Sequence, residues 1–207
     1  MSTALISLDV LDDLPAAREA LRSRFRERAF QKRLVTLSSG RRSNFYFDSK
    51  QVSLLGEGHL LIGRLLYDAI ERYEARTGRS VAAAGGLTLG ADPLASAVCM
   101  TAALRGRALP AVIVRKEPKG HGTGAWLEGA GPLDGGAEVV VLEDVVTTGG
   151  SALKAVERLR SADFKVSLVL GLVDRLEGGR EAVEARELEL ETLFNRRDFV
   201  SDEELES

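Results

Sequence analysis

The residues with most chemistry in them lie in the stretch "VVVLEDVVTTGGSAL", residues 139–153. An apolar run ends in two carboxylates, Glu143 and Asp144. Val145 and Val146 follow, then the small residues Thr147, Thr148, Gly149, Gly150 and Ser151, before a helical pattern begins. Free backbone N–H groups at a helix start, reinforced by the helix dipole, favour an anion. Glycines let a ligand approach the backbone, and the hydroxyls add donors. Carboxylates repel phosphate but accept hydrogen bonds well from neutral hydroxyls. One ligand carrying both hydroxyls and a phosphate, a phosphorylated sugar, reconciles the two halves. A plain strand-to-helix turn with a capping Ser or Thr needs neither the second acid nor the glycine pair. A Walker-type loop and a G-x-G-x-x-G dinucleotide loop are excluded, because their glycines and lysine are missing here.

Two further groups invite chemistry. "RKEPKGHGTGAWLEG" brings Arg115, Lys116, Lys119 and His121 into seven positions, within a run holding seven glycines from Gly120 to Gly136. Such cations would stabilise charge on a polyanionic leaving group, and the glycines would let the segment open and close as a lid. Runs of this length without regular periodicity are uncommon unless functional or disordered. His121 is either a solvated histidine or an acid assisting departure. Arg175, closing the apolar run "LVLGLVDR", offers a planar guanidinium suited to a carboxylate. Trp126, Tyr46 and Phe47 are rings that stack on a planar base or pack equally well in a core or lid. His59 is assigned no role.

Positioning these groups requires a layered α/β frame. "SVAAAGG", "LPAVIV", "EVVVL" and "KVSLVLGLVD" are short Val/Ile/Leu-rich runs separated by helical patterns, "ADPLASAVCMTAAL" and "SALKAVERLRSADF" among them. That alternation predicts a mainly parallel sheet covered by helices on both faces, with ligands beyond the carboxyl ends of its strands. Apolar spacing predicts two earlier helices, from Leu14 to Lys32 and from about Gly58 to Arg76. "AVEARELELETLF" suits helix, strand or one after the other. One domain is expected over 1–207: a helical and extended N-terminal hood (1–79), an α/β core (80–194) and an acidic tail (195–207).

A formal net charge of −3 over 207 residues gives no basic face for nucleic acid. Cys99, the single cysteine, allows no internal disulfide and reads as a small apolar residue. No leader-like segment opens the sequence and no apolar run has membrane-spanning length, so a cytoplasmic protein without membrane attachment is expected.

"VVVLEDVVTTGGSAL" resembles the signature of type I phosphoribosyltransferases, which bind 5-phosphoribosyl 1-pyrophosphate. Three other stretches resemble orotate phosphoribosyltransferases: "TLSSGRRSNFYFDSK", "VRKEPKGHGTGAWLEG" and "LVLGLVDRLEGG". The resemblance implies transfer of the phosphoribosyl group to orotate, giving orotidine 5′-monophosphate and pyrophosphate in pyrimidine biosynthesis. It implies a type I phosphoribosyltransferase fold with a mobile catalytic loop, and Mg²⁺ entering with the pyrophosphate rather than on protein ligands. It also implies a homodimer with shared active sites. By residue, it puts Arg115, Lys116, Lys119, His121 and the stretch from Glu143 to Ser151 on the donor, with Lys116, Lys119 and His121 catalytic. Ser39, Gly40, Tyr46, Phe47, Thr147 and Arg175 fall to orotate.

The chain departs from many bacterial relatives, which carry lysine where Ser38 and Gly90 stand; Lys50 and Arg42 are candidates to supply the charge. Two other readings keep the fold. One is a transferase acting on a purine or uracil, and the other a regulator that binds the donor and nucleic acid without catalysis.

Overall fold

A computed structural model describes residues 7–36, 42–118 and 125–200, with only the backbone for 32–36 and 42–45. Helix α1 (Leu14–Arg24) starts where the Asp13 carboxylate accepts from Ala16 N–H at 3.1 Å, with proline in the first turn. It buries Ala17 and Leu21. The helical pattern ends earlier than its spacing predicts: a π turn covers Phe25–Ala29, and Phe30 is already extended in β1 (Phe30–Thr36). The cause is tertiary. β1 pairs antiparallel with β2 (Arg42–Phe47), setting Phe30 opposite Phe47, and that ladder overrides the local preference. The short helix α2 (Lys50–Ser53) and the long α3 (Gly56–Thr77) follow.

The core is built from β3 (Val81–Leu87), α4 (Asp92–Leu104), β4 (Ala111–Val114), β5 (Leu127–Glu128), β6 (Glu138–Val146), α5 (Gly150–Ser161), β7 (Leu168–Asp174), α6 (Gly179–Glu184) and β8 (Glu189–Asn195). Sheet order is β5-β4-β3-β6-β7-β8, parallel apart from the antiparallel edge strand β5. Both faces are covered, which is why the strands read as continuous apolar runs. Val140 and Leu142 join one cluster with residues of α1, α3 and α4, while Val139 and Val141 join another with Ala152, Ala155 and Leu159 of α5. The ambiguous stretch near the C-terminus is helix then strand, α6 followed by β8.

Residues 196–200, assigned to the acidic tail, carry Phe199 into the core. Its ring lies 5.3 Å from that of Phe47 and 6.4 Å from that of Phe25, and Phe194 of β8 joins the group. This aromatic cluster ties the N-terminal hood to the far edge of the sheet. No helix of the described residues is long and apolar enough to cross a membrane.

The order in which strands are added reverses between the parallel neighbours β3 and β6: from β3 the sheet grows to β4 on one side, and β6 and β7 fill the other. The crevice beyond the carboxyl ends of these two neighbours is where an open parallel sheet takes ligands.

Candidate active site

β6 runs further than "EVVVL" suggests, carrying both acids inside the strand and ending at Val146. Glu143 pairs with Gly171 of β7, and Val146 with Asp174. Asp144 is held from three sides. One oxygen accepts from Ser49 Oγ at 2.7 Å and the other from Val145 N–H at 3.0 Å. Gly90, in the turn after β3, approaches so closely that a Cβ there would stand 2.4 Å from Asp144 Oδ1. Glu143 is only 8% exposed. Burial, then the neighbouring Asp144 charge, push its carboxyl up to about 9, with the Lys116 ammonium opposing the shift. Burial thus favours the protonated form of Glu143, in which it can donate as well as accept.

Beyond β6 the chain bends through Thr147, which is half-buried, and Thr148, which is exposed, to Gly149 at φ +77°. Gly149 caps α5 with no side-chain hydrogen bond to the first turn. The leading N–H groups of the helix, Gly150 and Ser151 among them, face the same end of the sheet as the acids. The outer wall of this turn comes from the next connection. A Cβ on Gly179 would stand 2.5 Å from Thr147 O and 3.1 Å from Gly149 N, so α6 begins directly against the cradle. Sequence reasoning passed over Gly179; its one signal was a second Gly-Gly pair following a strand.

Arg175 leaves β7 at the same level, its N–H donating to Val146 O at 2.9 Å. It is 6% exposed and its guanidinium meets Glu177 at 2.9 Å. The Asp174 carboxylate fixes the turn by accepting from Leu176 N–H at 2.8 Å. Lys50 lies on the opposite rim. Asp48, 2.8 Å away, and more weakly Asp144 hold its ammonium above the usual range. With Leu89, His59 and Asp92 it lines a cleft of about 450 Å³. Lys50 thus stands within the field of Asp144, whereas the side chain of Arg42 lies outside what is described.

The remaining expected residues divide. Lys116 is close enough to act on Glu143. The Arg115 guanidinium turns aside, to Glu128 at 3.3 Å and Glu117 O at 3.2 Å. The Phe47 ring is buried in the aromatic cluster, the core packing that the sequence left open beside base stacking. Tyr46, its neighbour on the opposite face of β2, is half-buried. Ser39, Gly40, Lys119 and His121 lie outside the described residues. Ser49 was not anticipated at all. It is 95 positions from Asp144, and a serine at a short helix start carries no distinguishing pattern.

No family model matches the chain. It is 50% identical to the orotate phosphoribosyltransferase of Sorangium cellulosum, over 89% of this chain and 94% of that one. It is 45% identical to the orotate phosphoribosyltransferase of a Nostoc species, over 90% and 87%. Among solved structures, Mycobacterium tuberculosis orotate phosphoribosyltransferase in complex with 5-phospho-α-D-ribosyl 1-diphosphate superimposes with a TM-score of 0.71. That match has 34% identity, covering 88% of this chain and 98% of that one.

Proposed function

The chain belongs to the orotate phosphoribosyltransferase family, and from that membership we propose how its residues divide the work. It transfers the 5-phosphoribosyl group of 5-phosphoribosyl 1-pyrophosphate to orotate, giving orotidine 5′-monophosphate and pyrophosphate. The observation that carries the residue assignment is the junction of β6 and α5. Two adjacent acids, Glu143 buried and Asp144 held by Ser49, lead directly into an N–H-rich turn at the sheet's topological switch point.

In this reading the 5′-phosphate sits on the turn from Thr147 to Ser151 and the ribose hydroxyls on Glu143 and Asp144. Glu143, protonated, donates to one hydroxyl oxygen; Asp144, oriented by Ser49, accepts from another. Thr147 and the Tyr46 side of the hood approach the base. Arg175 takes the orotate carboxylate, with Glu177 orienting the guanidinium. Bond making between N1 of orotate and C1 of the sugar accompanies loss of the C1–O bond to pyrophosphate. Charge builds on that leaving group, and Lys116, Lys119 and His121 face it. Positioning and charge stabilisation dominate, with no covalent intermediate.

Mg²⁺ bound to the diphosphate would neutralise part of its charge. The donor set suits a cation held mainly by the substrate. Burial pushes the Glu143 carboxyl up to about 9, and both oxygens of Asp144 already accept hydrogen bonds. We also read the protein as a cytoplasmic homodimer. The exposed side of α4 carries Met100 and Leu104, and Leu54 and Leu89 are exposed at the cleft beside Lys50. A second copy covering this face would adjoin the Lys50 cleft.

The test is the fall in orotate absorbance with donor and Mg²⁺, beside uracil and hypoxanthine. Turnover of orotate alone is expected. Turnover of uracil or hypoxanthine but not orotate would overturn the assignment of Arg175.

A further inference from the structure

One guanidinium holds both ends of the cationic segment. The cationic segment starts from a short antiparallel stem in which Ile113 faces Glu128 and Val114 faces Leu127. Arg115 N–H donates to Trp126 O at 2.9 Å, closing that stem. Arg158 reaches it from α5. It donates through Nη2 to Lys116 O at 2.9 Å and through Nη1 to Arg115 O, and it stacks on the Trp126 ring with its carbon 4.0 Å from the centroid. The outgoing strand is thus bound by hydrogen bonds and the returning strand by cation–π contact, both from the same planar group. Arginine alone among side chains combines a rigid fork of donors with a flat cation that stacks on indole.

The location of Arg158 gives the clasp its meaning. It lies eight residues after Gly150, roughly 12 Å along the axis of the helix whose first turn is the phosphate cradle. α5 is packed against the sheet through Ala152, Ala155, Val156 and Leu159 and acts as a rigid spacer. The base of the cationic segment is therefore set at a fixed distance from the cradle, and the Lys116 charge acts on Glu143.

We propose that Arg158 is a positioning residue for the transfer reaction. By clasping the carbonyls of Arg115 and Lys116 and the ring of Trp126, it registers the pyrophosphate-binding cations against the ribose-phosphate site. The inference rests on the reading that Lys116 serves the pyrophosphate end of the donor. Arg158 itself touches no substrate.

The experiment compares wild type, R158A, R158K, W126A, R158A/W126A and K116A by calorimetric binding of pyrophosphate with Mg²⁺ and, separately, of orotidine 5′-monophosphate. Steady-state kinetics and thermal midpoints accompany it. R158A is expected to weaken pyrophosphate binding and lower kcat/KM for the donor by about tenfold or more, since small misplacements of catalytic groups are costly. Binding of orotidine 5′-monophosphate, which needs the cradle but not the cations, should change by less than about twofold in the same comparison. R158K should recover little, because an ammonium keeps the charge but loses the fork and the stacking. R158A/W126A should be no worse than R158A, as for two halves of one contact.

Wild-type pyrophosphate affinity in R158A beside a weakened K116A would overturn the role of Arg158 alone. Equal loss of both ligands with a lowered midpoint would make it a general structural residue and overturn it too. An unimpaired K116A would remove the reading of the cationic segment and the clasp with it.

Discussion

At the scale of single residues, Glu143 and Asp144 are neighbours in sequence but differ electrostatically. Glu143 is raised to about 9 from its ordinary 4.5, first by burial and then by the charge beside it. A carboxyl raised on folding contributes stability that is complete below its unfolded value and lost as pH climbs toward the folded one. Wild type should therefore lose thermal stability relative to E143Q between about pH 5 and about pH 9, measured as the difference in midpoint across buffers. A constant difference over that window would show that Glu143 ionises normally. Asp144 is constrained by geometry instead. Because a Cβ on Gly90 would stand 2.4 Å from its Oδ1, G90A must push the carboxylate off Ser49. We expect kcat/KM for the donor to fall by about tenfold or more. For the same reason G90K would not restore the lysine found at this place in relatives. An unchanged donor KM in G90A would show that Asp144 tolerates displacement.

At the scale of elements, the cradle is shaped by two connections, β6 to α5 and β7 to α6. The close approach of Gly179 to Thr147 O and Gly149 N is to backbone atoms, which cannot swing away as a side chain can. G179A should cost about 1–3 kcal/mol of stability by overpacking and weaken binding of ribose 5-phosphate more than that of orotate. Melting curves and calorimetry would check both, and equal weakening of the two ligands would contradict it. Much of the frame was legible beforehand. Parallel strands buried on both faces leave continuous apolar runs, and an anion turn must be written in glycine, serine and threonine. What stayed hidden depends on partners distant in the chain. Ser49 on Asp144, Gly90 beneath it and Arg158 at the loop stem have no local pattern, and Gly179 against Thr147 has only its Gly-Gly pair. The end of α1 was misplaced for a related reason, since only pairing with β2 shows that Phe30 has left the helix. Phe47 could not be decided from sequence, because an aromatic in a short strand looks the same whether it faces a ligand or the core.

At the scale of the whole molecule, the apolar side of α4 bears on assembly. Leu104, at the end of α4, is 77% exposed, and Leu89, before its start, is 70% exposed. L104E is expected to shift the protein from dimer to monomer in light scattering, because a charge in an apolar interface is left unpaired. Mixed dimers of R175A and K119A subunits should regain activity if sites are shared; none in verified mixed dimers would exclude sharing. The aromatic cluster has a different consequence, one in time. Phe25, at the inner end of the hood, meets Phe194 and Phe199, which lie 169 and 174 positions later in the chain. At ribosomal speeds that separation corresponds to roughly ten to thirty seconds of synthesis. Through that interval the first helix has been made while its far wall has not, so the hood that borders the substrate site is among the last parts of the protein to close.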